Sequence, residues 1–254
     1  MPLRLVTITV SHYCEKARWA LDRAGMRYTE DGHAPLVHRA FTAMGGGTST
    51  PLLVTPHGSL TDSTDILRFA DRGLEEARRL YPEGALGAEA AELEDHFDRK
   101  LGPATRALAY SYLMPDAEAF LRVVSRDVPR LEAAAVRALR RPMIALMKKG
   151  LGFTDGTRAW ADERVRALFA EVGARLADGR RYLTGERFTA ADLTFASLAD
   201  PVVDRDDDPR ARFRTEDAPS ALAAERRELR KTPAGEYVAR LYRDERGLSS
   251  AVAR

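Results

Sequence analysis

Cysteine is almost absent: Cys14 is the only one in 254 residues. A single thiol cannot close an internal disulfide, so nothing in the chain depends on an oxidising compartment. An excess of one charge is also lacking. The 40 basic side chains face 38 acidic ones, for a formal net charge of +2. That balance excludes the basic surface of a nucleic-acid or membrane-surface binder. Arg greatly outnumbers Lys, but the Arg residues are scattered rather than clustered. No uninterrupted apolar run approaches the ~20 residues of a membrane span. Met1-Pro2-Leu3-Arg4 lacks the layout of a signal peptide, so a soluble cytoplasmic protein is expected. His33, His57 and His96 show no ligand spacing, and no metal is expected. Gly45-Gly46-Gly47 does not open a helix ahead of a Lys-Ser/Thr pair, so it is no phosphate-binding loop.

What is present is a change of period along the chain. Leu3 to Val10 alternates and is β-branched, which predicts a strand. In Ser11 to Gly25 the residues Tyr13, Ala17, Ala20, Leu21 and Ala24 share one helical face, and Gly25 suits the stop. Arg27 to Gly32 is a weaker strand, Pro35 to Met44 a short helix and Pro51 to Thr55 a third strand. Pro56-His57-Gly58-Ser59 is a turn, and Thr61 to Gly73 a helix. The βαβ opening implies a parallel pair with a right-handed crossover. After Pro82 no strand is evident. Helical period runs through roughly 87–113, 116–149, 157–178, 189–200, 218–230 and 233–245. Asp204 to Asp217, dense in charge, reads as a solvated loop.

Chemistry concentrates at the first strand-to-helix turn. Unpaired N–H groups and the positive end of a helix dipole meet there, which stabilises an anion and lowers a thiol pKa. Ser11 could donate a hydrogen bond to such a thiolate, or be an ordinary N-cap. Cys14, in the first helical turn, could be an acidic thiol or a small buried side chain. His12 is expected to face solvent, as are Glu15 and Lys16. Thr50-Pro51 stands before a strand, where a cis bond would leave the Thr50 backbone free to pair with an extended ligand. At Asp62-Ser63 a helix opens; its N–H groups and the Ser63 hydroxyl suit a carboxylate, and Asp62 suits an ammonium group. The bland alternative is again a cap. Tyr110, Tyr112 and Met114 could line an apolar pocket above the thiol or be core, and core is the preferred reading.

Taken jointly, residues 11–21 (SHYCEKARWAL), 49–53 (STPLL) and 60–67 (LTDSTDIL) resemble the glutathione S-transferase superfamily. Thr189-Ala190-Ala191-Asp192 resembles the capping box of that family's sixth helix. The resemblance implies an α/β thioredoxin-like N-terminal domain (1–78), followed by an all-α helical bundle domain (87–254). It implies glutathione as co-substrate, no metal, a small apolar co-substrate and a homodimer. By position it implies Ser11 as the catalytic residue, with Cys14 at the second cysteine of the related glutaredoxin motif. Arg18 matches a recurrent helix Arg. Tyr13, His38, Thr50, Pro51, Asp62 and Ser63 are the implied glutathione-binding residues. His38 or Arg39 would meet the glycyl carboxylate, Thr50 the cysteinyl backbone, and Asp62 with Ser63 the γ-glutamyl group. His12 stands where the family often has Pro.

Three functions follow from this pattern. The first is a transferase in which Ser11 holds the thiolate that attacks an apolar electrophile. The second is a thiol-disulfide reductase working through Cys14 alone, since Ser occupies position 11. The third is a non-catalytic binding or assembly module.

Overall fold

The alternating run at the start forms β1 (Leu3–Ile8), with Leu5 and Val6 fully buried. It lies at the centre of the sheet. On one side it pairs parallel with β2 (Tyr28–His33), and on the other antiparallel with β3 (Leu52–Thr55). Helix α1 (His12–Arg23) connects the parallel pair, which makes the βαβ unit the period change predicts. The short α2 (His38–Ala43) leads towards β3, and α3 (Ser63–Asp71) packs beside α1. The computed structural model describes residues 2–252.

Two strands have no counterpart in the sequence reading. β4 (Gly58–Leu60) forms a hairpin with β3, closed where Thr55 Oγ1 accepts from the His57 N–H at 3.1 Å. β5 (Ala251–Val252) pairs parallel with β2, giving the sheet order β4-β3-β1-β2-β5. The last described residues thus return to the sheet of β1. The Ser250 N–H donates to the Asp22 carboxylate at 2.6 Å and holds the returning segment. Segments of three and two residues are too short to show a period.

The remainder of the chain is helical: α4 (Ala85–Leu113), α5 (Ala117–Val124), α6 (Arg130–Gly150), α7 (Thr157–Leu176), α8 (Ala190–Ala199), α9 (Ser220–Arg230) and α10 (Pro233–Asp244). The single helix expected over 116–149 is two. Asp127 takes φ 56° and Pro129 precedes α6, so the chain breaks although the apolar spacing runs on. α8 is buried all round, as a helix with no polar face must be. Its first turn is closed by the expected capping box. Asp192 accepts from the N–H groups of Thr189 at 2.7 Å and Leu183 at 2.8 Å, and from the Tyr237 hydroxyl. One apolar core runs from the sheet side (Leu5, Trp19, Leu21) into the helices (Phe97, Phe195, Tyr242). The Trp19 and Tyr242 ring centroids are 4.7 Å apart.

Charged residues read as solvated are in fact part of this joint. Lys16 is fully buried; its Nζ lies 2.5 Å from Glu94, 2.6 Å from Asp98 and 2.9 Å from the Thr64 hydroxyl, which ties α1 to α4 and α3. Glu15 pairs with Arg246 and Arg18. Burial pushes the Glu15 carboxyl up, but those two guanidinium groups outweigh it and hold it at about 2. The loop over 204–217 is likewise no solvated strap. Arg205 is buried between Asp200 and Asp208, and buried Arg226 donates to the carbonyls of Pro201 and Phe213. Each buried cation has its carboxylates or carbonyls, as the cost of burying charge requires.

Candidate functional site

Ser11 sits at the junction of β1 and α1 with extended φ/ψ of −75° and 127°. Its Oγ accepts from the Cys14 N–H at 3.4 Å, so it is a true N-cap. A hydroxyl that accepts from the helix still has its own proton to give. Ser11 lines a cavity of about 320 Å³, together with His12 and Tyr13 of the first turn of α1. The cap and the thiolate-donor readings are therefore compatible.

Cys14 is different. It is fully buried, and burial pushes its thiol up; Arg18, the Ser11 and Thr50 side chains and a hydrogen bond from the Ile8 backbone oppose this only in part. It does not line the cavity. A thiol that is protonated and closed to solvent is a strut behind Ser11 and Thr50, not an exposed nucleophile.

The cavity also brings together Tyr13, His38, Arg39 and Thr50. Thr50-Pro51 is cis, and Pro51 is buried and does not line the cavity. Tyr13 packs on α4 with its hydroxyl donating to the Asp98 carbonyl at 2.9 Å. Gly102 makes room for it: a Cβ there would stand 2.2 Å from the Tyr13 oxygen. His12 corrects the solvent reading. It is buried against the same turn, its Nε2 2.9 Å from the Gly102 carbonyl. Burial, reinforced by Arg106, pushes its pKa down to about 3, so it stays neutral. His38 is nine-tenths buried and has an unpartnered Nδ1 among the described residues; burial and then Arg39 push it down to about 4. A full positive charge on that side comes from exposed Arg39, not from His38.

Asp62 and Ser63 do not line the cavity. Asp62 caps α3, accepting from the Thr64 N–H at 2.8 Å, and is exposed; Ser63 is buried. The Asp62 charge still acts on Tyr13, helping to raise its hydroxyl pKa. The far wall comes from the helices. Arg106, Tyr110 and Leu113 on α4, Val123 on α5 and Met147 on α6 line it, with Phe213 from the loop. Of the two sequence readings of Tyr110, core is the preferred one, but it is the lining reading that holds, and burial raises its hydroxyl pKa. No acidic residue lines the cavity, and among the described residues no group of His, Cys, Asp or Glu could hold a metal ion. The arrangement suits a ligand with an anionic group and a thiolate.

The sequence of residues 5–77 matches the glutathione S-transferase N-terminal domain family. Solved structures match along nearly the whole chain. A glutathione S-transferase from Xanthobacter autotrophicus Py2 superposes with a TM-score of 0.59 at 18% identity, covering 97% of this chain and 96% of its own. The chain has the glutathione S-transferase fold. A theta-class glutathione S-transferase from Xanthomonas axonopodis pv. citri, solved with glutathione bound, gives 0.58 at 20% identity, covering 96% of this chain and 94% of its own. A beta-etherase from Sphingobium sp. strain SYK-6 gives 0.61 at 15%, covering 94% of this chain and 98% of its own. No curated protein matches the sequence. In this glutathione S-transferase fold a thioredoxin-like unit with a mixed sheet precedes the helices, and the cavity lies between the two. No helix among the described residues is long and apolar enough to cross a membrane.

Proposed function

We propose that the protein is a glutathione transferase in which Ser11 stabilises the glutathione thiolate for attack on an electrophilic co-substrate. The observation that carries this reading is Ser11 itself. It caps α1 as an acceptor, which leaves its hydroxyl a proton to donate, and it lines a cavity with no acidic lining residue. Residues 1–78 would bind the thiol and residues 87–254 would hold the co-substrate. Glutathione would run along Thr50, with a carboxylate towards Arg39 and His38 and its γ-glutamyl end past Tyr13 towards Asp62 and Ser63. The thiolate sulfur forms the new bond to carbon, and the leaving group departs with its electron pair. One charge-assisted hydrogen bond contributes about 1.5–3 kcal/mol, so Ser11 would lower the thiol pKa by roughly one to two units. The homodimer that the resemblance implies belongs to this reading and is checked by analytical sedimentation.

Buried Cys14 tells against the monothiol reductase, and a cavity open at Ser11 tells against a purely structural module. The test is glutathione binding and conjugation of 1-chloro-2,4-dinitrobenzene by wild type, Ser11→Ala and Cys14→Ala. Conjugation should fall sharply in Ser11→Ala and persist in Cys14→Ala. Absence of glutathione binding by wild type overturns the reading; binding without turnover favours the module; loss of activity only in Cys14→Ala moves the chemistry to that thiol.

A further inference from the structure

Most guanidinium groups around the site are already engaged. In a second cleft, of about 630 Å³, Arg126 pairs with Asp217, Arg210 with Asp208, Arg212 with Glu30 and Arg214 with Glu216. That cleft has no spare cation among these four. Arg106 is in the opposite situation. It sits half-buried on α4, and among the described residues its guanidinium makes no hydrogen bond or ion pair. Its charge acts on His12, Tyr13 and Tyr110; at Tyr13 the Asp98 and Asp62 carboxylates oppose it, but neither lines the cavity or pairs with Arg106. His12 is driven neutral, so it neither competes with Arg106 for an anion nor answers its charge.

Arg106 also stands where two spaces meet. It lines the Ser11 cavity, and it lines a neighbouring cleft of about 450 Å³ bounded by Pro103, Leu151, Phe153 and Trp160. Trp160 is half exposed there although it is a large apolar side chain. Apolar walls on both sides with one unpaired cation between them are shaped for an amphiphilic acid. Leaving a partly buried cation unmatched is costly, and an incoming anionic group relieves that cost.

We propose that Arg106 selects the co-substrate: an electrophile with an apolar, ring-sized body and one anionic group, a carboxylate or sulfonate. The anion pairs with Arg106, and the body lies over Tyr110, Leu113 and Met147 with its reactive carbon towards Ser11. Arg39, on the other side of the cavity, is left for glutathione. This assignment rests on the transferase reading above and sharpens its co-substrate from merely apolar to apolar and acidic.

The experiment uses a matched pair, 4-chloro-3,5-dinitrobenzoate and its methyl ester. Each reacts by formation of a carbon–sulfur bond and departure of chloride with the electron pair. In Arg106→Met, kcat/KM for the acid should fall about tenfold or more, while the ester changes by less than about twofold. Arg106→Lys should recover part of the loss. KM for glutathione should be unchanged with either substrate. A second readout needs no glutathione: fluorescence titration with 8-anilinonaphthalene-1-sulfonate and with neutral N-phenyl-1-naphthylamine. Arg106→Met should weaken only the sulfonate. Equal loss for both members of a pair, no loss for either, or a raised glutathione KM overturns the assignment. If wild type fails to conjugate anything, the transferase reading falls, and the two naphthalene probes still decide Arg106.

Discussion

Lys16 is the most exacting test of how the helices are held against the sheet. Its ammonium group is fully buried and touches Glu94, Asp98 and Thr64 within 2.9 Å. Lys16→Met keeps the aliphatic stem and removes the charge, leaving Glu94 buried and unpaired and Asp98 about one quarter exposed. Breaking a buried ion pair costs about 3–5 kcal/mol, whereas replacing both partners by apolar groups is often neutral. Hydration of Asp98 puts the expected loss near the lower end, ~3 kcal/mol, which is roughly a hundredfold in the folding equilibrium. In thermal unfolding that corresponds to a fall in Tm of about 6–12 °C. Lys16→Met/Glu94→Leu should recover more than half of it. The pH dependence has a definite sign. Burial already pushes Asp98 up with Lys16 in place, and removing Lys16 pushes it further. A raised folded-state carboxyl binds more protons than the unfolded one, so the deficit is greatest above that pKa and shrinks as pH falls through it. Urea unfolding of the three proteins at pH 5 and pH 8 measures this. A loss below ~1 kcal/mol in the single variant, or a double variant worse than the single, would refute the reasoning.

Cys14 should resist alkylation by iodoacetamide at pH 8 in the native protein and react fully in denaturant, because reaction requires local opening; rapid native labelling would contradict its burial. His12 and His38, held at about 3 and about 4, should make stability fall as pH drops from the unfolded-state value near 6.5 towards those values. His12→Gln should flatten that slope in acid-unfolding curves. Gly102→Ala should displace Tyr13, cost about 1–3 kcal/mol in denaturant unfolding and raise the glutathione KM. Asp192→Ala removes the acceptor of four hydrogen bonds in a fully buried box and should cost ~3 kcal/mol or more, read by thermal unfolding.

The parts of this structure that local pattern controls could be read from the sequence. Leu3–Ile8 alternates, α1 carries its apolar face at helical spacing, and Thr189 with Asp192 closes a box within four residues. Those signals need no distant partner. β4 and β5 were missed because two or three residues carry no period, and their existence depends on β3 and β2 waiting beside them. The break before α6 was missed because it is a backbone event at Asp127 and Pro129 inside an unbroken apolar spacing. The charged residues were misread for a common reason. Lys16 looks solvated until Glu94 and Asp98, some eighty residues on, are placed beside it. His12 looks solvated until the Gly102 carbonyl is placed against it. At the site, Ser11 and Thr50 were legible through their turns, but Arg106 was not, and Tyr110 could not be told from core. They belong to α4, and only the packing of α4 on α1 turns their helix face into a cavity wall. Gly102 was the available signal: a glycine in mid-helix marks a close approach, here of Tyr13.

The central claim is that Ser11 holds the glutathione thiolate, and the pKa of enzyme-bound glutathione tests it most directly. Thiolate absorbance should be followed against pH in wild type and Ser11→Ala at saturating glutathione. The bound thiol should titrate well below free glutathione in wild type and rise by about one to two units in Ser11→Ala, with glutathione affinity nearly unchanged. An identical titration in both proteins would contradict the account.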